Sequence, residues 1–183
     1  MHPRTEELLR HLDATRATLH TTVDAVPASI RETRPAPDRW SVAEVLEHLA
    51  RVEEQLGRLL SAKLAEAKAN GLLVPEVETS PVVGTLDEAR VLDRGQRITA
   101  SDRVLPRGEL DSAAARASLE GSRAALRELV TAYNGLALSA FTFPHPALGV
   151  LDGYQWLAFI GTHEVRHANQ IREIGEARSR SMS

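Results

Sequence analysis

The sequence predicts an all-α protein, a four-helix bundle running up-down-down-up, and three observations lead there. Apolar side chains recur at three- and four-residue steps in four separate stretches, the period of a helix with one buried face. Residues that start or stop helices bound these stretches. Between the second and third lies a connection of about 40 residues, long enough to cross the whole bundle, so helices two and three run parallel. The shorter links before helices two and four suit antiparallel neighbours.

Helix one spans about residues 5–26, with Leu8, Leu12, Leu19, Val23 and Val26 on one face and Pro27 as its stop. Helix two opens on Ser41-Val42-Ala43-Glu44, a capping box in which Ser and Glu satisfy each other's free backbone N–H groups. Trp40 and Val45 have the spacing of a hydrophobic staple across that cap. Its stripe is Val45, Leu49, Val52, Leu56 and Leu59, and Asn70-Gly71 ends it. The connection at residues 72–110 is rich in Pro, Gly, Asp and Val, with room for a short helical turn at 85–93. Helix three runs from Asp111 or Ser112 to Tyr133, with Leu119, Ser122, Leu126, Leu129 and Tyr133 as its core face. Helix four follows Asp152-Gly153 and reaches about Glu176, with Trp156 or Leu157, Ile160, His163, His167, Ile171 and Ile174 inward. Residues 1–176 form one domain and 177–183 a flexible tail.

Composition narrows the chemistry. The chain has 183 residues and a net charge of −3, which gives no general drive toward nucleic acid, and no nucleic-acid partner is expected. No apolar run is long enough to span a membrane, and the opening residues lack a signal peptide's apolar segment, so no membrane partner and a cytoplasmic location are expected. There is no cysteine. Thiolate metal sites and a protein-borne thiol nucleophile are excluded, and any chemistry falls to His and the carboxylates.

Of seven histidines, His2, His11 and His20 belong to helix one or its start and read as ordinary surface or boundary residues. His163 and His167 lie four apart on the apolar stripe of helix four, so both rings project into the bundle. Two adjacent core imidazoles need partners for their nitrogens: buried polar groups, or a divalent metal. The run His163-Glu164-Val165-Arg166-His167 is literally H-E-x-x-H, in which the Glu of a metalloprotease is the general base. Chance produces such a match in about one of forty sequences of this composition, and the third protease ligand is missing. Gln170 and Glu173 stand where the extended motif needs Gly and His. If the pair binds metal, the third ligand must lie upstream, and His48 is the strongest candidate. It sits about 10 Å into helix two, and the His163/His167 midpoint about 16 Å from the end of helix four. In antiparallel helices these levels nearly coincide. Alone, His48 would read as a boundary residue touching Glu44.

Two segments, RWSVAEVLEHLARVE (39–53) and PHPALGVLDGYQWLAFIGTHEVRHANQI (144–171), resemble the DinB/YfiT-like superfamily, and the likeness extends across essentially the whole chain. It implies an up-down-down-up bundle, a homodimer, and one divalent metal, zinc or nickel, on His48, His163 and His167. It also implies a small-molecule substrate and one of two activities. These are S-transfer from an external low-molecular-weight thiol cosubstrate, such as mycothiol or bacillithiol, and metal-dependent hydrolysis. A non-catalytic metal-binding scaffold or small-ligand binder is the alternative. Glu164 and His145 are the candidate catalytic residues, Glu164 as a base bordering the site and His145 from the loop before helix four. Gln170 is the candidate hydrogen-bond partner behind His167.

Overall fold

The structure is a computed structural model describing residues 1–95 and 101–181. Among these residues it is mostly helical, with one two-stranded sheet. The long helices are α1 (Pro3–Asp24) and α2 (Val42–Ala69), then α4 (Ser112–Ala132) and α5 (Gly153–Ser181). A short helix, α3 (Glu88–Leu92), lies in the long connection where the helical turn is expected.

The caps form as their residues dictate. The Glu44 N–H donates to Ser41 Oγ at 3.2 Å and the Ser41 N–H to the Glu44 carboxylate at 2.8 Å. Asp111 caps α4 through the Ala114 N–H at 2.7 Å. The backbone of α5 continues to Ser181 rather than ending at Glu176; Ala and Arg are good helix formers, and Gly175 alone does not break the run. The expected flexible tail is thus helical in its backbone over 177–181, and 182–183 lie outside the described residues.

The mainly helical content agrees with the all-α reading, to which one small sheet is added. Strands β1 (Thr142–His145) and β2 (Gly149–Asp152) pair antiparallel, with Phe143 opposite Leu151 and His145 opposite Gly149. Four-residue strands containing Pro144 are too short to display a two-residue period. Their stability comes from packing, since the Phe143 ring stacks on Trp156 at 4.4 Å and Leu151 is buried.

Packing runs chiefly between α2 and α4 and between α1 and α5, with α3 laid on α5. Along α1 and α5 the contacts climb together: the His11 ring meets the Ala158 carbonyl at 3.1 Å, Thr15 the Glu164 carboxylate, and Val26 lies beside Gly175. Along α2 and α4 they also climb together: Leu46 and Leu49 share one core cluster with Ala115 and Leu119, and Leu60 and Leu64 share the other with Leu126 and Val130. Gly161 permits the close approach of α1, because a Cβ there would stand 2.5 Å from the His11 ring.

Inside this packing lies a group of charges that hydropathy places outside. Arg16, Glu53, Arg123 and Glu164 come one from each long helix, and all are buried. Arg16 reaches Glu53 and Glu164, both at 2.7 Å; Arg123 reaches Glu53 at 2.6 Å and Glu164 at 2.9 Å. Two guanidiniums and two carboxylates balance, which is how charges survive burial. This group also rotates the stripes. The buried face of α2 runs from Leu49 through Glu53 to Leu60 and Leu64, leaving Leu59 exposed; that of α4 runs through Arg123 to Leu126 and Val130.

Candidate metal centre

His48 lies where α2 is buried on all sides, from Ser41 to Ala50, between the cap and the Glu53 network. His163 and His167 stand one turn apart on α5 and face it. Their Nε2 atoms are 3.1 Å apart, and the candidate ligand atoms of the three histidines all lie within 4.8 Å of one another. Zinc–nitrogen bonds at tetrahedral angles separate two ligand nitrogens by about 3.3 Å, so the spacing suits a shared cation.

The far sides of two rings are fixed. His48 Nδ1 is 2.8 Å from the Val104 carbonyl, which accepts only, so this nitrogen carries the proton and Nε2 keeps its lone pair. His167 Nδ1 likewise donates to Gln170 Oε1 at 2.9 Å, the partner its position predicts. Such outer contacts set ring orientation and ligand basicity in metal sites.

Burial holds the His48 imidazole below the usual histidine range, and Arg51 pushes the same way against the Val104 carbonyl. Burial also holds His163 and His167 well below it, helped by the neighbouring imidazoles and Arg166. All three are therefore neutral near pH 7, the form that binds metal. The donor set and its protonation fit a divalent cation, and three protein ligands leave coordination positions open.

Aromatic rings wall the group. Trp40, expected only as a staple, lies 4.9 Å from the His48 ring and stacks over His167 at 6.5 Å. Phe159 stacks on His163 at 5.3 Å. Among the three ligand candidates His163 is partly exposed, and His48 and His167 are buried.

The other candidates are placed differently. His145 stands behind Phe159, ring to ring at 4.5 Å, with Nδ1 accepting the Ala147 and Leu148 N–H groups of the hairpin turn, both at 3.1 Å. Glu164 is not brought to the three histidines. Its oxygens face Arg16, Arg123 and Thr15 inside the buried network. The H-E-x-x-H spelling thus combines two histidines of one site with a carboxylate of another. Sequence reasoning missed the Val104 carbonyl, since a backbone acceptor leaves no mark in composition. It also missed Arg16, Glu53 and Arg123, whose one signal was falling in register with the apolar stripes.

A mainly helical scaffold with three imidazoles from two helices converging on one point defines a class: helical proteins with a histidine-only site that could hold a metal ion. The chain belongs to the DinB superfamily, which residues 11–171 match. It is similar to the uncharacterized protein YuaE of Bacillus subtilis (strain 168), 30% identical over 146 residues, 78% of this chain and 82% of that protein. No solved structure matches the chain.

Proposed function

We propose that this protein is a divalent-metal-dependent enzyme that transfers an external low-molecular-weight thiol to a small electrophile. The observation that carries the reading is the convergence of three neutral imidazoles, whose candidate ligand atoms lie within 4.8 Å of one another. His48, His163 and His167 would hold the ion, zinc or nickel, and a bound cation of this kind supplies a Lewis-acid centre that lowers the pKa of a thiol beside it. The frame is an up-down-down-up four-helix bundle working as a homodimer. The same-direction contacts of α1 with α5 and of α2 with α4 support that topology.

Within this frame each residue has a task. The Val104 carbonyl and Gln170 keep the Nδ1 protons of His48 and His167 in place, so both Nε2 lone pairs stay turned inward. Trp40 and Phe159 exclude water from the flanks. In the reaction a sulfur–carbon bond forms and the thiol proton passes to solvent. The electrophile's leaving group departs with its bonding pair, or an activated double bond takes up a proton at the adjacent carbon. Hydrolysis is the second reading of the same site, because a bound cation would lower the pKa of water as it would that of a thiol; Glu164, the base the motif offers, is bound to Arg16 and Arg123 and would take no part in it. With no cysteine in the chain, the sulfur of a thiol transfer must arrive from outside.

The test is a panel of electrophiles assayed with zinc- or nickel-loaded protein, with and without added thiol. Turnover that requires both metal and thiol, and that His48→Ala abolishes, is the expected result. A panel without thiol-dependent turnover, together with a metal whose removal only lowers the melting temperature, points instead to a scaffold.

A further inference from the structure

The Val104 carbonyl that orients His48 belongs to an irregular turn, and α2 itself holds that turn. Glu47, the residue before His48, is buried at 3% exposure, yet its ion pair with Arg51 is a long one, 3.7 Å. Its carboxylate instead accepts two backbone N–H groups of the turn, Arg107 at 2.9 Å and Gly108 at 3.0 Å, one on each oxygen. Gly108 has φ +70°, a left-handed conformation that turns consecutive N–H groups toward one anion. At the turn's other end His48 donates to the Val104 carbonyl, and Arg51 to the Arg103 carbonyl at 3.2 Å. Glu47, His48 and Arg51 thus grip residues 103–108 within about one turn of helix. Of these contacts only those of Glu47 place a full charge on the turn's N–H groups, the stronger kind of hydrogen bond.

We propose that Glu47 is a positioning residue for the metal centre: by anchoring the 103–108 turn it keeps the Val104 carbonyl on His48 Nδ1 and thereby keeps His48 Nε2 aimed at His163 and His167. Glu47 offers no ligand atom to that group. Its influence passes through the turn. Without the anchor, the turn's backbone is free to leave α2, the His48 ring loses its fixed proton position, and the site must be ordered at the moment of binding.

This inference rests on the metal-site reading, so its test has an arm that needs no metal. Nitrogen-15 NMR of the histidine side chains in metal-free protein reads the His48 tautomer in wild type, Glu47→Ala and Glu47→Gln, and zinc titration gives the affinity of each. Ser41→Ala serves as the control that weakens α2 at its cap without touching the turn. Wild type is expected to hold the Nδ1–H tautomer, Glu47→Ala to show a mixture, and its zinc affinity to fall about tenfold, the lower end for residues that support a ligand. Glu47→Gln, which keeps one acceptor and the side-chain volume, should fall between them, and it carries the test if Glu47→Ala does not fold. An unchanged His48 tautomer and zinc affinity in the folded variants, or an equal loss in Ser41→Ala, overturns the proposal. A wild-type chain that takes up no zinc overturns the metal-site reading instead, and the tautomer measurement then decides the role of Glu47 by itself.

Discussion

The Glu164 carboxylate lies 2.7 Å from the Arg16 guanidinium, across the α1–α5 contact and inside the packed helices. Glu164 sits between two candidate ligands in sequence, yet its partners come from α1 and α4. It belongs to the scaffold that sets the rotation of α5. The Arg16 guanidinium keeps its proton more firmly than usual: burial alone would loosen it, but Glu164 and Glu53 together outweigh burial.

Glu164→Ala should therefore destabilise the fold. Removing one member of a balanced buried network strands a charge, which costs about 3–5 kcal/mol. Urea unfolding checks this. A metalloprotease base would behave differently, with activity lost and the unfolding midpoint unchanged.

Acid should destabilise the metal-free protein. Free histidine titrates near 6.5, and the folded values of His48, His163 and His167 lie below it. Between those values and about pH 6.5 the unfolded chain binds protons that the folded chain refuses, so stability is full above that window and falls as pH drops through it. Thermal melts of metal-free protein from pH 8 to pH 5 should show the decline. His163→Ala together with His167→Ala should flatten it.

Added zinc should raise the melting temperature. A ligand at 100 times its dissociation constant contributes about 2.7 kcal/mol to the folded state. The shift should vanish in His48→Ala and in His167→Ala, and calorimetry reads it directly.

Tyr154→Phe should loosen the far end of the molecule. The Tyr154 hydroxyl donates to Glu76 at 2.6 Å, and Arg4 meets the same carboxylate at 2.8 Å, tying the start of the long connection to α1 and α5. Burial and Glu76 raise the tyrosine pKa, so the hydroxyl stays a donor at neutral pH. Losing a hydrogen bond to a charged group costs about 1.5–3 kcal/mol. Chemical denaturation should register that loss while zinc affinity stays at the wild-type value.

The long helices were legible because their signals are local. Ser41 and Glu44 sit at the spacing of a reciprocal cap, and Leu8, Leu12, Leu19 and Val23 keep one face, all buried as expected. His163 and His167 were legible for the same reason, polar residues on an apolar stripe. His48 needed a comparison between two helices, and the structure brings its ring within 4.9 Å of His167. What stayed hidden depends on partners distant in sequence. The burial of Glu53 and Arg123 has no hydropathy signal, because hydropathy cannot register that each neutralises the other inside. The hairpin at Thr142–His145 and Gly149–Asp152 was hidden because its stability comes from Trp156 beneath it. The Val104 carbonyl has no side-chain signature at all.

The central claim is that His48, His163 and His167 hold one divalent ion, and metal analysis of protein purified without an affinity tag tests it most directly. One zinc or nickel per chain in wild type, lost in His48→Ala while the far-ultraviolet circular dichroism stays helical, is the predicted result. Substoichiometric metal in wild type, or full metal retained in His48→Ala, would contradict it.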